Sequence, residues 1–313
     1  MTTKARAAVI ERKDAPFVMH DVSVEDPRPD EVLVRMVATG ICATDAHVRQ
    51  QLLPTPLPAI LGHEGAGIVE RVGSTVTHLK PGDHVVLSYN SCGQCKPCLS
   101  SHPAYCDKVL EANFAGARLD GSIGVNAQEA GDLHAHFFGQ SSFATYALAH
   151  QRNTVKVPSD IPLEILGPLG CGLQTGAGAI LKAMEVPVGA TVAIFIRQIE
   201  QRGVEFVLDT SGRASNLDAG ISALAPLGCF GFVAFSADSG AMVDASRLAV
   251  GQTLQGIIQG DAVSALMIPQ LIGLYRSGRF PFDRLITFYD FSDINQAFDD
   301  VAAGRVIKAV LRF

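Results

Sequence analysis

The sequence lacks the features that mark nucleic-acid-binding and membrane proteins. Its 25 Lys and Arg residues are outnumbered by 31 Asp and Glu residues, so no basic excess is available for a phosphate backbone. No apolar run approaches the roughly 20 residues that span a bilayer, and the first residues, MTTKARAAVIERKD, have no signal-peptide core. We therefore expect a cytoplasmic protein that has neither a nucleic-acid nor a membrane partner.

The glycine fingerprint of dinucleotide-binding folds, G-x-G-x-x-G, is also missing. Two apolar, β-branched segments, Thr191–Phe195 and Val204–Asp209, are typical of buried parallel strands. In a dinucleotide-binding fold the fingerprint directly follows the first such strand. Here the segment Ile196–Gln198 follows instead, and the nearest partial match, at 176–178, precedes the strand.

The link between these two segments is too short for a helical crossover. It has only eight residues, 196–203, whereas a parallel crossover usually needs a dozen or more. Eight helical residues rise about 12 Å, and a strand of five or six residues runs about 17–20 Å. A fully extended link reaches about 26–29 Å but forms no covering helix. Either the half-sheet is remodelled, or the 313 residues omit a piece of the natural chain.

Length and composition indicate a globular protein with one large or two ordinary domains, since the chain has 313 residues and is 48% hydrophobic. Short β segments and turn residues dominate the first 160 residues or so. From about residue 165, helical and strand patterns alternate, which is typical of a parallel α/β sheet. The tail, DINQAFDDVAAGRVIKAVLRF, predicts a helix, a glycine turn and a strand that returns to the first domain.

Four of the seven cysteines follow the pattern C-x2-C-x2-C-x7-C. Without a secretory signal, such a cluster indicates metal ligation rather than disulfides. Four thiolates fill a tetrahedral zinc shell and leave no position for a substrate, so this zinc would be structural. An iron–sulfur cluster and free thiols are the alternatives. The four residues are Cys92, Cys95, Cys98 and Cys106.

A second pattern, G-H-E-x-x-G-x5-G, runs from Gly62 to Gly73 and follows the segment GICATDAHV. Taken alone, Cys42 is most often a core residue and His63 a hydrogen-bonded polar group. Together with CGLQTGAGA and FFGQSSFATYAL, the pattern resembles the zinc-dependent medium-chain alcohol dehydrogenases, most of all their aryl- or benzyl-alcohol subgroup. The resemblance covers nearly the whole chain outside 191–212. It implies that roughly fifty residues, about two βα units, are absent after Phe195.

The resemblance implies an α/β fold class with two domains. A β-rich, GroES-like catalytic domain would comprise 1–164 and 282–313, and a truncated, Rossmann-type domain with a doubly wound parallel sheet would comprise 165–281. It also implies two zinc ions per chain, NAD as the hydride acceptor, and a homo-oligomer, either a dimer or a tetramer. The substrate would be a primary aromatic or allylic alcohol that is oxidised to the aldehyde.

Matches to this family also give the candidate zinc site. Cys42, His63 and Cys171 match the protein ligands of the catalytic zinc, which keeps a fourth position open for the alcohol oxygen. Asp45 is expected to accept the other N–H of His63 and fix its tautomer; the alternative is a turn carboxylate. Glu64 matches a carboxylate that lies behind the metal.

Proton transfer and cofactor binding fall to other matched residues. Thr44 and His47 match a relay that takes the alcohol proton to solvent through the cofactor ribose, although His47 read alone is a surface histidine. Thr175 matches a residue beside the nicotinamide, and Asp209 ends the surviving strand at the edge where such sheets bind ligands. Lys308 matches a basic residue that meets both the pyrophosphate and Glu64, with a plain surface lysine as the alternative.

Two other functions stay open on the sequence alone. A chain without the glycine loop could be a zinc-binding family member that has lost dinucleotide binding and is not catalytically active. A metal-dependent hydrolase would use the same zinc to activate water. The sequence offers that reaction no general base beyond Glu64.

Overall fold

A computed structural model describes the chain over 2–127, 133–195, 203–234, 243, 248 and 250–313. The chain divides into two compact units: unit 1 is Met1–Gln174 with Val263–Phe313, and unit 2 is Thr175–Ala262. The family domains at 1–164 with 282–313 and at 165–281 remain a prediction, because a division into compact units does not test where a family domain begins and ends. Across the described ranges, every helix is too short or too polar to cross a bilayer.

The strands carry labels in chain order. They are β1 (Thr2–Ile10), β2 (Val18–Glu25), β3 (Glu31–Gly40), β4 (Ala59–Ile60), β5 (Glu64–Val72), β6 (His84–Leu87), β7 (Val125–Asn126), β8 (Tyr146–His150), β9 (Thr154–Lys156), β10 (Val192–Phe195), β11 (Val204–Asp209), β12 (Leu224–Phe232), β13 (Thr253–Gly256), β14 (Ile286–Asp290) and β15 (Lys308–Arg312).

The α-helices of the described residues have between four and thirteen residues, and α6 is the longest. They are α1 (Ala43–Arg49), α2 (Lys96–Leu99), α3 (Val109–Phe114), α4 (Gly172–Gly178), α5 (Ala214–Ala223), α6 (Ser264–Arg276) and α7 (Ile294–Ala302). Helix α6 follows the apolar spacing of the sequence and buries Met267, Ile268 and Leu271. It ends just before Gly278, whose φ of 72° is one that glycine adopts without strain.

Unit 1 contains two sheets. One has the order β4-β1-β2-β7; the other has the order β14-β15-β3-β5-β6-β9, with β8 also paired to β3. Nearly all neighbours are antiparallel, which suits short β segments joined by turns. The last strand returns as predicted, because Val310 of β15 pairs with Gly40 of β3. The largest side chains of the core, Phe137 and Phe143, are fully buried.

Unit 2 contains a parallel sheet of order β10-β11-β12-β13. A complete Rossmann sheet has the order 3-2-1-4-5-6, so these four strands correspond to strands 1, 4, 5 and 6. The first and fourth strands are neighbours in that order, and this explains why β10 pairs directly with β11. The parallel pairing of the two segments is confirmed. Their connection, 196–202, lies outside the described residues.

Candidate active site

Four side chains from distant parts of unit 1 come together. The ligand atoms of Cys42, His63, Glu64 and Cys171 all lie within 4.8 Å of one another. Cys42 stands at the start of α1 and Cys171 directly before α4, while Glu64 opens β5. Donor atoms around a tetrahedral zinc lie about 3.3–3.8 Å apart. The three predicted ligands are therefore close enough to share one metal ion.

One imidazole nitrogen of His63 makes no hydrogen bond in the described part of the chain. The ring is fully buried, its Nδ1 lies 3.0 Å from Asp45 Oδ1, and its Nε2 has no hydrogen-bond partner there. A buried polar atom without a partner is costly, so such an atom needs an explanation. A neutral imidazole that donates from Nδ1 keeps a lone pair on Nε2. The residues present thus fit a zinc ion held by two thiolates and this nitrogen.

Asp45 ties the ligand segments to each other. Its Oδ1 accepts N–H groups from His63 and Gly62, and its Oδ2 accepts the backbone N–H of Cys42 at 3.0 Å. Asp45 is the third residue of α1, and the contact with Cys42 forms part of a capping box that starts the helix there. Burial opposes a charged imidazole, but Asp45 and Cys42 raise the pKa of His63 to about 10, so a metal ion bound at Nε2 would displace a proton. The predicted contact of Asp45 with His63 is present.

The Cys42 thiol lies in an environment that favours the thiolate. Its neighbours Cys171 and His63 hold the pKa of Cys42 well below the usual value, against the opposing effect of burial. The thiolate is the form of cysteine that binds metal. The electrostatics of the cluster therefore agree with its geometry.

Within the cluster, the fully buried Glu64 forms an ion pair with the half-buried Lys308. Lys308 Nζ lies 3.0 and 2.9 Å from the two Glu64 oxygens and donates to the Ile41 carbonyl, while the Gly172 N–H donates to Glu64 Oε1. Burial raises the pKa of Glu64 to about 7, against the lowering effect of Lys308. Gly40 is required here, because a Cβ at that position would collide with the Glu64 carboxylate.

The four clustered cysteines also meet. Sγ of Cys92 lies 4.0 Å from that of Cys98, and Sγ of Cys95 lies 3.9 Å from that of Cys106. These distances are close to the sulfur–sulfur separation of about 3.8 Å in a tetrahedral zinc–thiolate site. Burial raises the pKa of the Cys106 thiol, whereas the Cys92 and Lys108 N–H groups, which donate to its Sγ, lower that pKa. The set fits a closed metal site.

The predicted relay residues lie on α1. Thr44 and His47 are both half-buried and, three positions apart, share a helix face. Thr44 Oγ1 is 3.8 Å from Cys42 Sγ. The structure therefore places this face beside the cluster, and the relay role stays a prediction.

For the two cofactor residues predicted in unit 2, the structure gives the immediate surroundings. Thr175 lies half-buried on α4, and Asp209 is the buried last residue of β11. One Asp209 oxygen accepts both the N–H and the hydroxyl of Ser211, at 2.8 and 2.6 Å. This carboxylate therefore shapes the turn after the strand, and its cofactor role stays a prediction.

Sequence reasoning assigns no role to two residues that contact His63. The Phe138 ring stacks on the imidazole, with centroids 4.4 Å apart, and the Gln140 side chain bonds to the His63 carbonyl. The available signal was the motif FFGQSS itself, an amide next to a glycine and two serines in an otherwise apolar stretch.

Comparisons with known proteins identify the family. Residues 28–159 match the family described as alcohol dehydrogenase GroES-like domain. A geraniol dehydrogenase from Castellaniella defragrans is 38% identical over 368 aligned residues, which cover 99% of this chain and 98% of the relative. The chain belongs to the zinc-dependent medium-chain alcohol dehydrogenases. The alignment is longer than the 313 residues of this dehydrogenase, so the relative has residues that this chain lacks.

Two solved structures share this dehydrogenase fold throughout. The alcohol dehydrogenase zinc-binding domain protein from Burkholderia ambifaria is 40% identical, with a TM-score of 0.96 and 100% of both chains covered. The benzyl alcohol dehydrogenase from Acinetobacter calcoaceticus is 38% identical, with a TM-score of 0.94 and 99% of both chains covered. The predicted fold class and enzyme class are confirmed, and an inactive zinc-binding relative finds no support.

Proposed function

We propose that this alcohol dehydrogenase oxidises a primary aromatic or allylic alcohol to the aldehyde and passes the hydride to NAD+. The observation that carries the proposal is the convergence of Cys42 and Cys171 on the partnerless Nε2 of the buried His63. The substrate class follows from the relatives, because benzyl alcohol is an aromatic and geraniol an allylic primary alcohol. In both, the carbinol carbon adjoins a π system that stabilises the developing carbonyl.

The ligand residues and Asp45 would prepare the site for the alcohol. Cys42, His63 and Cys171 would hold a zinc ion, which supplies a Lewis acid for the alcohol oxygen. Asp45 keeps the His63 proton on Nδ1, so that Nε2 remains a donor atom to the metal.

The residues around the ligands would serve proton transfer and charge balance. The alcohol gives up one hydride and one proton, and Thr44 and His47 would conduct that proton along α1 to solvent. Lys308 holds Glu64 in its ion pair behind the ligands.

The remaining site residues complete the proposal. Cys92, Cys95, Cys98 and Cys106 would hold a second zinc ion with every position filled. Thr175, Asp209 and Lys308 are assigned to NAD, although the glycine loop and the ribose-binding acid that follow the first strand in Rossmann folds are absent. The proposal includes a dimer or tetramer, a cytoplasmic location, and family domains at 1–164 with 282–313 and at 165–281.

A binding and turnover experiment tests the proposal. NADH is titrated into the zinc-loaded chain of verified intact mass while its melting temperature is followed, because any ligand that binds only the folded state must raise it. We expect saturable stabilisation, and NADH formation from benzyl alcohol and NAD+.

Two cysteine variants make the experiment specific. Cys42→Ser should abolish turnover, whereas Cys229→Ser, which changes a β12 residue outside both cysteine clusters, should keep it. Absence of both NADH binding and turnover in the parent chain would refute the proposal.

A further inference from the structure

We propose that Gln140 is a positioning residue that fixes the backbone on both sides of Glu64 and thereby places His63 as a metal ligand. The inference rests on the proposed zinc site at Cys42, His63 and Cys171. It concerns a side chain whose hydrogen bonds go to backbone groups, so that it acts through the main chain of the ligand segment.

The carboxamide of Gln140 is buried and fully used. It is 1% exposed, its Oε1 accepts the Gly65 N–H at 3.2 Å, and its Nε2 donates to the His63 carbonyl at 3.1 Å and the Ser88 carbonyl at 3.0 Å. A primary amide has two N–H groups, and both find acceptors here. The peptide groups before and after Glu64 are thus bound to a single side chain.

This side chain takes the place of a peptide group in a β ladder. The pairing of β5 with β6 ends at Ala66 and Val86, so the ladder stops just before the ligand segment. Continued pairing would bring the chain around Glu64 opposite Ser88. The Gln140 amide bridges this gap, because its oxygen and one N–H bond to the chain around Glu64 while its second N–H bonds to the Ser88 carbonyl.

The loop that carries Gln140 pays a conformational cost. Phe138 and Ser141 have φ values of 52° and 50°, a left-handed region that residues other than glycine seldom adopt. Such conformations are strained and persist only where the surroundings impose them. Here Ser141 Oγ donates to the Ile60 carbonyl, and the Phe138 ring stacks on His63. The strained loop therefore contacts His63 at two places. Phe138 stacks on the imidazole ring, and Gln140 bonds to the backbone carbonyl.

Asn153 offers a matched control. It is equally buried, and its Nδ2 also donates to the Ser88 carbonyl, as well as to the Phe138 and Gly139 carbonyls. Its side-chain bonds thus go to carbonyls other than that of His63 and leave the Gly65 N–H untouched. Removal of either amide leaves buried backbone groups without partners, so both changes should lower stability by a similar amount.

The test compares Gln140→Met with Asn153→Leu in the full chain. Zinc affinity is measured by chelator competition, and the cobalt-loaded proteins are compared by absorption spectroscopy, with Cys42→Ser identifying the spectral component of this site. We expect Gln140→Met to weaken zinc binding at the site roughly 10- to 100-fold, the usual effect of losing a partner that orients a ligand, and to shift the cobalt spectrum. Asn153→Leu should lower the melting temperature and leave affinity and spectrum unchanged.

A conservative variant separates positioning from folding. Gln140→Glu keeps the acceptor for the Gly65 N–H and, as the neutral acid, one O–H donor for a carbonyl, so it should recover part of the lost affinity as the pH is lowered. Equal affinities in Gln140→Met and the parent, or equal losses in Gln140→Met and Asn153→Leu, would overturn the inference while leaving the proposed function in place. A parent chain whose Cys42 site binds no metal would overturn both.

Discussion

Asp45 shows how much a single residue organises in the candidate site. Its two oxygens accept three N–H groups, from the backbone at Cys42 and Gly62 and from the imidazole of His63. No water competes for these bonds, because the residue is fully buried. A neutral amide at this position cannot accept all three.

We therefore expect Asp45→Asn to weaken zinc binding at the catalytic cluster by roughly 10- to 100-fold, with a matching loss of bound metal. Chelator competition on the purified variant measures this. Asp83→Asn is the control, since Asp83 is also a buried carboxylate that accepts a backbone N–H, from Lys80. If both variants lost zinc equally, the effect of Asp45 would be one of general stability.

A buried histidine away from the ligands makes stability depend on pH. Burial, aided by the charge of Arg118, lowers the pKa of His136 from 6.5 to about 4. The folded chain thus takes up this proton less readily than the unfolded chain. The free energy of unfolding should therefore fall as the pH drops from about 6.5 to 4, by about 3 kcal/mol from this group alone.

The variant His136→Gln should lose that part of the pH dependence, because a glutamine can still accept the Gly124 N–H that His136 accepts but does not titrate. Denaturant unfolding of both proteins at several pH values measures the difference. Parallel pH profiles for the parent and the variant would show that His136 contributes nothing.

The ligands could be predicted from the sequence, and Gln140 could not. The four-cysteine segment indicates a metal by its own local spacing, whereas Cys42, His63 and Cys171 are predicted through motifs such as GHE that carry the family resemblance. The role of Gln140 depends on where β6 leaves β5, and the residue lies 75 positions from the N–H that it accepts. A polar residue in an apolar stretch signals a constraint but does not name its partner.

At the scale of elements, the four-cysteine segment depends on its sulfurs. Helix α2 buries none of its residues, and the turn Pro103–Tyr105 buries only Ala104. With so little apolar contact, a shared metal would be the main crosslink between the ends of the segment.

Cys98→Ser should accordingly open the segment 92–106 locally and leave the rest of unit 1 folded. Hydrogen exchange should show fast amides there and unchanged protection in β3 and β5. Cys229→Ser is the control for the loss of a thiol elsewhere. Unchanged exchange in the Cys98→Ser variant would exclude a crosslinking role for this residue.

At the scale of the whole molecule, the residues that the relative has and this chain lacks correspond to strands at one edge of the sheet in unit 2. The strands that remain are therefore contiguous. Strands 1, 4, 5 and 6 of a Rossmann order are contiguous, so β10 to β13 still form an unbroken parallel sheet. The sequence predicted the parallel strands and the short link. It could not predict that the two strands pair directly, because the strand order is a property of the assembled sheet.

The loss leaves β10 at an edge. Among the described residues it pairs with β11 alone, and Val192 and Ile194 are 38% and 51% exposed. An apolar edge strand promotes association, and a charge on it prevents association. Ile194→Lys should therefore reduce light scattering in concentrated solutions, whereas Val188→Lys, outside the strand, should not. Equal scattering from all three proteins would show that this edge is protected.

The place of β15 between β14 and β3 has a consequence for biosynthesis. This strand carries Lys308 and is translated after all of unit 2. Until β15 has been translated, β3 lacks this neighbouring strand and Glu64 lacks the Lys308 cation. The nascent polypeptide can therefore complete its candidate active site only once β15 has been translated, and until then β3 exposes an unpaired edge that chaperones can protect.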